Sequence, residues 1–389
     1  MRIRYAIRGT LQDLHKLVRR EVNFHRVRPT HALIFLTYRC SSRCQTCEIW
    51  KWKDAGIAVK ERELGLEDWK RFVDMLVEME ISNVELFGGD ALLRRDILPE
   101  LVRYLCRSGI QADLVTNSLS MDRQLAQELV EAGLRDIAFS VDGVGETHDR
   151  VRGVDGSFER VKAAIRHVLE ARGDSRTPGV ICNCTISALN VDSFEQVVPF
   201  AAEMGADDVH LEYAGGITAE NARRSVVDGI TARPLYRAEP GESFLLDRDQ
   251  AIMLKRKLVR LKESARDLPC EVSTRNIDVL TVDNLVNSTF PNKKCYMIRY
   301  FIAVDPYGNI VGCPFFTNYL LGNVRDEPIR SIWSGERHRR FIEAQERGEI
   351  AMCKNCIMGV QRNRTFLKSL LRLSMYMRDR WLYSPRNRL

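Results

Sequence analysis

The chain has 389 residues, 45% of them hydrophobic, and a formal net charge of +7. This length predicts one large domain plus a smaller one, with enough apolar residues for a packed core. No apolar run reaches the ~18 residues that span a bilayer, and no signal-peptide pattern opens the chain. Eleven cysteines in such a chain favour thiols and metal ligands over disulfides. We therefore expect a cytoplasmic protein that binds metal.

The first segment in chain order is basic, with eight Lys or Arg and two acidic residues over 1–30. Its apolar residues recur at helical spacing: Ile7, Leu11, Leu14, Val18 and Val22. This pattern predicts a helix that packs on the rest of the protein and exposes a basic face to water. An anionic partner for that face is the alternative.

Three cysteines, Cys40, Cys44 and Cys47, follow a strand-like apolar run over 32–36 with the spacing C-x3-C-x2-C. We call residues 37–48 the cysteine loop. A four-iron cluster uses thiolate ligands, and three of them leave one iron open, as three protein ligands do for a catalytic zinc. A closed zinc site needs a fourth ligand nearby, and no Cys or His lies between Asp54 and Leu105. The spacing therefore favours a cluster over zinc.

The middle of the chain alternates between strand-like and helix-like segments. The predicted strands cover 32–36, 83–87, 112–116, 136–141, 180–186 and 208–213. The predicted helices cover 66–79, 97–106, 123–132, 158–170 and 193–204. Such regular alternation indicates an α/β fold with a parallel sheet, and six units suit a partial (β/α)6 barrel.

Polar residues follow the predicted strands, where the chemistry of such barrels lies. The second strand leads into Gly88-Gly89-Asp90, the third into Thr116-Asn117-Ser118, and the fourth into Ser140-Val141-Asp142-Gly143. Glycines let a ligand approach the backbone, and a carboxylate can bind an ammonium group. Ordinary turn chemistry is the alternative for each element alone. Glu212 and Tyr213, which end the sixth strand, face the site only in one register.

A long loop is predicted over 214–244, and loops of this length are usually functional lids or disordered. A helix over 249–266 follows it. Four further cysteines then form two pairs, Cys295 with Cys313 and Cys353 with Cys356, around a predicted hairpin over 303–311. Four thiolates make a closed site for an iron–sulfur cluster or for zinc, and spacing does not separate the two. The other four cysteines are interpreted as core or incidental thiols: Cys106, Cys182, Cys184 and Cys270.

The last segment, 361–389, is also basic, and its apolar residues again recur at helical spacing: Phe366, Leu370, Leu373, Met377 and Trp381. We predict an amphipathic helix here. It either docks on the protein's own body or meets a membrane surface or another anionic partner.

The C-x3-C-x2-C loop after a first strand resembles the signature of the radical SAM superfamily. The elements at Gly88, Asn117 and Ser140 resemble others in its subgroup with C-terminal clusters, and the later cysteines resemble its SPASM/twitch domain. The resemblance implies a radical SAM partial barrel over 31–245, a connecting helical region over 246–289 and a twitch-like domain over 290–360. That second domain is expected to hold a β-hairpin and helices.

The resemblance also implies cofactors. A [4Fe-4S] cluster on Cys40, Cys44 and Cys47 would bind S-adenosylmethionine, and Cys295, Cys313, Cys353 and Cys356 would hold an auxiliary [4Fe-4S] cluster. The residues expected to contact S-adenosylmethionine are Gly88, Gly89, Asp90, Asn117, Ser140, Arg152 and Asn183.

The activity implied is reductive cleavage of S-adenosylmethionine to a 5′-deoxyadenosyl radical, which takes hydrogen from an unactivated carbon. Oxidation or carbon–carbon or carbon–sulfur bond formation then follows, with the auxiliary cluster in electron transfer. The expected partners are a peptide, lipid or small-molecule substrate and an electron donor such as flavodoxin or ferredoxin, and no nucleic acid. The alternative is a non-catalytic iron–sulfur or zinc electron-transfer protein, which would not need the polar elements at the strand ends.

Overall fold

The computed structural model describes residues 29–238, 244–265, 268–274, 277–290, 295 and 297–357. The helices predicted over 1–30 and 361–389 lie outside these residues, apart from Pro29 and Thr30, and stay predictions. Within the described residues, no helix is both long and apolar enough to cross a membrane.

The first half of the described chain alternates strands and helices, as the sequence predicts. In chain order these elements are β1 His31–Phe35, α1 Leu66–Glu78, β2 Asn83–Phe87, α2 Leu98–Arg107, β3 Gln111–Thr116, α3 Arg123–Ala132, β4 Asp136–Ser140, α4 Glu146–Arg152, α5 Ser157–Arg172, β5 Gly179–Ile186, α6 Val197–Met204 and β6 Asp208–Tyr213. The two ends of helix α3 show how single residues set the bounds of such a helix. The Asp122 side chain caps its N-terminus by accepting from the Leu125 N–H, and Gly133 ends it in the left-handed conformation.

The second half is less regular. Its elements are β7 Ile217–Thr218, α7 Ala219–Arg223, β8 Val226–Val227, β9 Ile230–Thr231, β10 Arg237–Ala238, α8 Arg248–Ser264, β11 Glu271–Ser273, α9 Val282–Asn287, α10 Met297–Tyr300, β12 Phe301–Val304, β13 Asn309–Cys313, β14 Phe316–Asn323, α11 Ile329–Ser334 and α12 Glu336–Glu346. The segment predicted as one loop over 214–244 therefore contains a short helix and four two-residue strands. Elements this short leave no periodic signal in a sequence.

Ten strands form one sheet in the order β11-β6-β5-β4-β3-β2-β1-β12-β13-β14. The pairings from β11 to β12 are parallel, and β13 and β14 are antiparallel. In the described residues the two edge strands, β11 and β14, do not pair with each other. The sheet is thus open, and its six central strands are those of the predicted partial barrel.

The predicted hairpin is part of this same sheet. Strand β12 runs parallel to β1, with His31 opposite Phe301. The hairpin thus lies beside the strand that leads into the cysteine loop, and the predicted domain bounds stay predictions. Strand β11 extends the opposite edge. Neither pairing is local in sequence, so periodicity could not reveal either one.

Side chains alternate between the two faces of the sheet. On β5, Val180, Cys182 and Cys184 are fully buried in the main core, whereas Ile181 and Asn183 are half-buried on the opposite face. That opposite face holds a separate apolar cluster near β1: Leu33, Phe35, Tyr38, Ile49, Trp52, Ala58, Leu235, Ala303 and Val311. The remaining polar positions of this face surround the candidate site.

Candidate active site

The cysteine loop is held on one side by the end of β2. The Gly89 N–H donates to the Thr37 carbonyl at 2.8 Å, and the Asp90 N–H donates to the Arg39 carbonyl at 2.9 Å. A Cβ atom on Gly88 would overlap the Thr37 carbonyl oxygen, and one on Gly89 would lie 2.6 Å from the Arg39 carbonyl carbon. The two glycines are therefore required for this close approach of two backbones.

The Asp90 side chain lies beneath the same loop and is only 1% exposed. Its carboxylate accepts hydrogen bonds from the Ser41 hydroxyl at 3.2 Å, the Thr116 hydroxyl at 3.3 Å and the Leu92 N–H at 3.2 Å. Burial raises the pKa of this carboxyl group, and the hydrogen bonds act in the opposite direction. The contacts of Asp90 thus connect the ends of β2 and β3 to the cysteine loop.

Asn117, after β3, holds the middle of the loop. Its side-chain NH2 donates to the Ser42 hydroxyl at 2.9 Å and to the Ser41 hydroxyl at 3.3 Å, and lies 3.6 Å from the Cys40 sulfur. The other end of the amide accepts from the Leu119 N–H at 3.1 Å. Asn117 therefore positions the segment that carries the first cysteine.

Arg152, at the end of α4, holds the loop from a third side. Its guanidinium forms a 2.9 Å ion pair with Asp142 and donates to the Cys44 sulfur at 3.5 Å. The Arg152 carbonyl also accepts from the Arg43 N–H at 2.9 Å, and a Cβ atom on Gly153 would lie 2.6 Å from the Arg43 carbonyl oxygen. Burial opposes the charge on Arg152, but Asp142 and the Cys44 sulfur raise the pKa of the guanidinium. A buried cation thus lies next to one thiol.

The three thiols of the loop are near one another in a poorly hydrated place. Burial raises the pKa of Cys40 to about 11, and a negative charge on Asp90 or Cys44 would add to this effect. Burial raises the pKa of Cys47 as well, with Cys44 and Cys40 as further causes. A cationic metal centre bound here would stabilise the thiolate forms of Cys40 and Cys47 and so offset the effect of burial.

Ser140 and Asn183 differ from the residues above. They stand opposite each other in the register of β4 and β5, and both are half-buried. The Asn183 side-chain oxygen is buried and has no hydrogen-bond partner within the described residues. Since buried polar atoms are rarely left unpaired, a ligand group that donates to Asn183 would complete this site.

The seven predicted cofactor residues therefore divide into two groups. Five of them contact the cysteine loop or its thiols: Gly88, Gly89, Asp90, Asn117 and Arg152. The other two, Ser140 and Asn183, lie beside each other with polar groups available to a ligand. Contact of any of the seven with S-adenosylmethionine stays a prediction.

The second set of cysteines also comes together. Burial is the main cause that raises the pKa of both Cys313 and Cys353. Charges on Cys295 and Cys356 would raise the pKa of Cys313 further, and charges on Cys295, Cys356 and Cys313 would do the same for Cys353. Cys313 ends β13, where its sulfur accepts from the Phe315 N–H at 3.4 Å.

Two residues hold the pair Cys353 and Cys356 in place: Asn355, which lies between the two cysteines, and Met352, which lies just before them. The buried Asn355 donates from its side chain to the Ser288 carbonyl at 2.7 Å, and the Met352 N–H donates to the Ser225 hydroxyl at 2.7 Å. These contacts tie the pair to segments 60 or more residues earlier in the chain.

The donor sets fit iron–sulfur clusters, for which thiolates are the usual ligands. Among the described residues, no group of three or more His, Cys, Asp or Glu side chains is arranged to hold a single metal ion. The donors at both sites are thiols alone, three at the first site and four at the second. Both sites are therefore suited to a cluster by their chemistry.

Sequence reasoning missed a charged group below the cysteine loop. The Glu63 side chain is 2% exposed and lies between Arg39, at 3.2 Å, and Arg94, at 3.3 Å. The Thr37 hydroxyl donates to the same carboxylate, and Arg94 donates to the Leu36 carbonyl at 3.4 Å. Glu63 is more than twenty positions away from Thr37, Arg39 and Arg94, which is why no motif indicated it.

The structure also places two tyrosines whose positions the sequence did not fix. The Tyr213 hydroxyl donates to the Leu285 carbonyl at 2.8 Å, so this residue packs beneath α9 rather than facing the site. Tyr236 was not predicted at all. Its ring lies 5.9 Å from that of Phe315, and its hydroxyl lies near Cys47 and Glu212, whose charges together with burial raise the pKa of the phenol.

Fold and site together define a class of protein: a partial α/β barrel whose first loop carries a three-thiol site, with a four-thiol site near the edge of the same sheet. The model of the radical SAM superfamily matches residues 34–200, and that of the SPASM iron–sulfur cluster-binding domain matches residues 295–357. The two matches include all seven cysteines and more than half of the chain. The chain belongs to the radical SAM superfamily and carries a SPASM-type cluster-binding domain.

Several characterised proteins are similar over most of their length. The AdoMet-dependent heme synthase of Methanosarcina barkeri is 25% identical over 82% of this chain and 86% of its own. The Fe-coproporphyrin III synthase of the same organism is 26% identical over 88% and 85%. The PqqA peptide cyclase of Xanthomonas campestris is 24% identical over 84% and 79%. This protein is accordingly an enzyme.

The crystal structure of anSMEcpe with bound AdoMet has the same fold. Its TM-score is 0.61, with 16% identity over 92% of this chain and 100% of that one. By the radical SAM and SPASM matches, the cofactors of the present protein are two [4Fe-4S] clusters and S-adenosylmethionine. Of the two metals left open for the second cysteine set, iron in a cluster is the one that the SPASM match supports.

Proposed function

We propose that this enzyme cleaves S-adenosylmethionine reductively and uses the 5′-deoxyadenosyl radical to remove hydrogen from an unactivated carbon of its substrate. When bound, the cluster on Cys40, Cys44 and Cys47 supplies the electron through its open iron, and the auxiliary cluster supplies a route for electrons. The protein itself would fix the thiols, limit their contact with water and orient S-adenosylmethionine and the substrate.

The observation that carries this proposal is the fixation of the cysteine loop by three separate segments, two that follow strands β2 and β3 and one at the end of helix α4. Gly89 binds its start, Asn117 its middle and Arg152 the segment before Cys44. A structural metal site would need only its ligands. A loop held this closely at the carboxyl ends of parallel strands supports a reactive centre that faces a binding cleft.

We infer that Ser140 and Asn183 contact S-adenosylmethionine. The unpaired Asn183 oxygen would accept from a hydroxyl or amino group of the cofactor, and Ser140 stands beside it on β4. Asp90 and Asn117 would act one step away, by holding the loop whose cluster binds the methionine end. Arg152 would do the same through Cys44.

The substrate belongs to the same proposal. The names of the similar enzymes identify two classes, heme precursors and peptides, and we propose that this enzyme acts on a member of one of them. An external flavodoxin or ferredoxin would deliver the electrons. A cytoplasmic location suits eleven free cysteines, and a membrane contact through 361–389 stays a prediction.

The test is the release of 5′-deoxyadenosine. Anaerobic protein with both clusters, reduced by dithionite and given S-adenosylmethionine, should release it slowly even without substrate. A variant in which Cys40, Cys44 and Cys47 are all Ala should release none. Addition of the true substrate, deuterated at the reacting carbon, should move deuterium into the 5′-deoxyadenosine.

One outcome would refute the proposal. If protein with an intact, reduced first cluster releases no 5′-deoxyadenosine, the chain is an electron carrier. The comparisons do not favour that alternative, because the similar proteins are named as synthases and cyclases.

A further inference from the structure

A cleft of about 300 Å³ lies beside the cysteine loop and is lined by an unusual number of cations. Three arginines line it, Arg223, Arg233 and Arg237, together with the single acid Glu48 and the ring of Trp52. Most of its lining comes from α7, β9 and the residues after β9, which belong to the segment predicted from the sequence as a long loop.

The Arg233 guanidinium is held in place but not neutralised. It lies 4.9 Å from the centre of the Trp52 ring and donates to the Thr317 hydroxyl at 3.4 Å. Within the described part of the chain it forms no ion pair. Burial lowers the pKa of this group, an effect that Asp305 and two tyrosines partly offset. A half-buried cation in this situation would gain from an anionic partner.

Two other charged residues of the cleft, Arg223 and Glu48, do not cancel the positive charge of Arg233. Arg223 is exposed on α7 and has no ion-pair partner among the residues that the structure describes. Glu48, the only acid in the lining, already binds Lys51 at 2.7 Å. The cleft thus offers guanidinium groups from two different segments, and a guanidinium can bind a carboxylate through two parallel hydrogen bonds.

The cleft is directly joined to the catalytic loop. Glu48 follows Cys47 in sequence, and its N–H donates to the Leu235 carbonyl at 2.8 Å. Tyr236, between two of the arginines in sequence, has its hydroxyl near Cys47. A molecule anchored in the cleft would therefore lie next to the segment that carries the cluster.

We propose that this cleft binds a carboxylate group of the enzyme's substrate through Arg223 and Arg233. The proposal rests on the proposed function and narrows its substrate to an acidic molecule. The volume suffices for one carboxylate-bearing chain, so the body of the substrate would extend beyond the cleft. A propionate of a tetrapyrrole and a glutamate of a peptide supply the same chemistry.

Binding can be measured without turnover. Full-length protein with both clusters, without reductant, is titrated with coproporphyrin III and with its tetramethyl ester, which has the same ring and no charge. A second pair of probes is a short peptide of alternating Glu and Gly and its Gln counterpart. Fluorescence follows the porphyrins, and calorimetry follows the peptides.

Arg233→Gln should weaken the binding of the acidic probe by roughly ten- to a hundredfold, because a bond between charged groups is lost. Arg223→Gln, at an exposed position that should not affect folding, should weaken it by about tenfold. Arg224→Gln is the matched control. It is adjacent to Arg223, but its side chain binds Glu220 at 3.3 Å and does not line the cleft.

The porphyrin and the peptide distinguish the two sources of the carboxylate, and arginine-dependent binding of either acid supports the proposal. It is overturned if neither acid binds, if the uncharged probes bind as well as the acids, or if both arginine variants bind like Arg224→Gln. Wild-type protein that binds acid but releases no 5′-deoxyadenosine would refute the proposed function and leave this site intact.

Discussion

At the scale of single residues, the contacts of Asp90 are mainly with the cysteine loop and the segments beside it. The sequence predicts that its carboxylate meets the ammonium group of S-adenosylmethionine. In the structure the carboxylate is 1% exposed and bound to Ser41, Thr116 and Leu92. The position of Asp90 after β2 was thus predictable. The direction of its side chain was not, because it depends on Ser41 and Thr116, which come from other segments of the chain.

We expect Asp90→Ala to lower the iron retained at the first site. It removes the acceptor for three hydrogen bonds, and each buried donor left unpaired costs about 1–3 kcal/mol. Asp90→Asn, which keeps one oxygen, should retain more iron. Iron per chain after gel filtration measures this. If instead both variants keep full iron and lose S-adenosylmethionine affinity by roughly ten- to a hundredfold, Asp90 contacts the cofactor directly.

Ser118 carries strain that glycine would relieve. Its φ of 74° lies in the left-handed region, which costs a residue with a Cβ atom about 1–2 kcal/mol. Its buried hydroxyl oxygen has no partner within the described residues. Ser118→Gly should therefore raise the free energy of unfolding by about 1 kcal/mol, after the entropy cost of glycine is included.

Denaturant unfolding under anaerobic conditions would measure this gain. Ser193→Gly is the control, because Ser193 has an ordinary φ of −142° and should lose about 0.5–1 kcal/mol. A destabilised Ser118→Gly variant would show that the Ser118 side chain has a favourable role not visible in its contacts.

At the scale of elements, the long helices and strands were predictable and the short ones were not. The pattern of apolar residues in the sequence predicted β2, α3 and β6 at their observed bounds. The short strand β11 and the helix α4 lack enough residues to show a period. Of the site residues on or near such short elements, Arg152 on α4 was expected from the family resemblance, whereas Arg233, after β9, was not indicated by the sequence.

The packing of β2 against the cysteine loop gives a prediction about elements. A methyl group on Gly89 would lie 2.6 Å from the Arg39 carbonyl carbon, and the backbone there cannot rotate away. Gly89→Ala should therefore displace the loop, lower the free energy of unfolding by about 1–3 kcal/mol and reduce iron at the first site only.

Gly65→Ala is the matched control, since no heavy atom lies within 4 Å of its added Cβ and its φ of −82° suits alanine. Iron analysis and thermal unfolding of both variants make the comparison. Full iron in Gly89→Ala would mean that the loop adapts to the added methyl group and that the close approach is not required.

At the scale of the whole molecule, one sheet connects the two cysteine sites. Strand β1 leads into the cysteine loop, β12 pairs with it, and β13 ends at Cys313. The sequence identified both ligand sets by their spacing, because thiol ligands need a recognisable local arrangement. The sequence could not indicate that β1 pairs with β12, because strand pairing across 270 residues, from His31 to Phe301, leaves no local signal.

The final prediction uses these two sites as independent metal centres. Reconstituted protein should hold about eight irons per chain, four at each site. Replacing Cys40, Cys44 and Cys47 by Ala should leave about four irons and abolish 5′-deoxyadenosine release. Replacing Cys353 and Cys356 by Ala should also leave about four but retain the release that occurs without substrate, since the first loop has its own supports. Mass spectrometry of metals would check both variants together with the wild type. Four irons and one zinc in the wild type would contradict the auxiliary cluster, because zinc cannot carry electrons, while the catalytic assignment of the first site would stand.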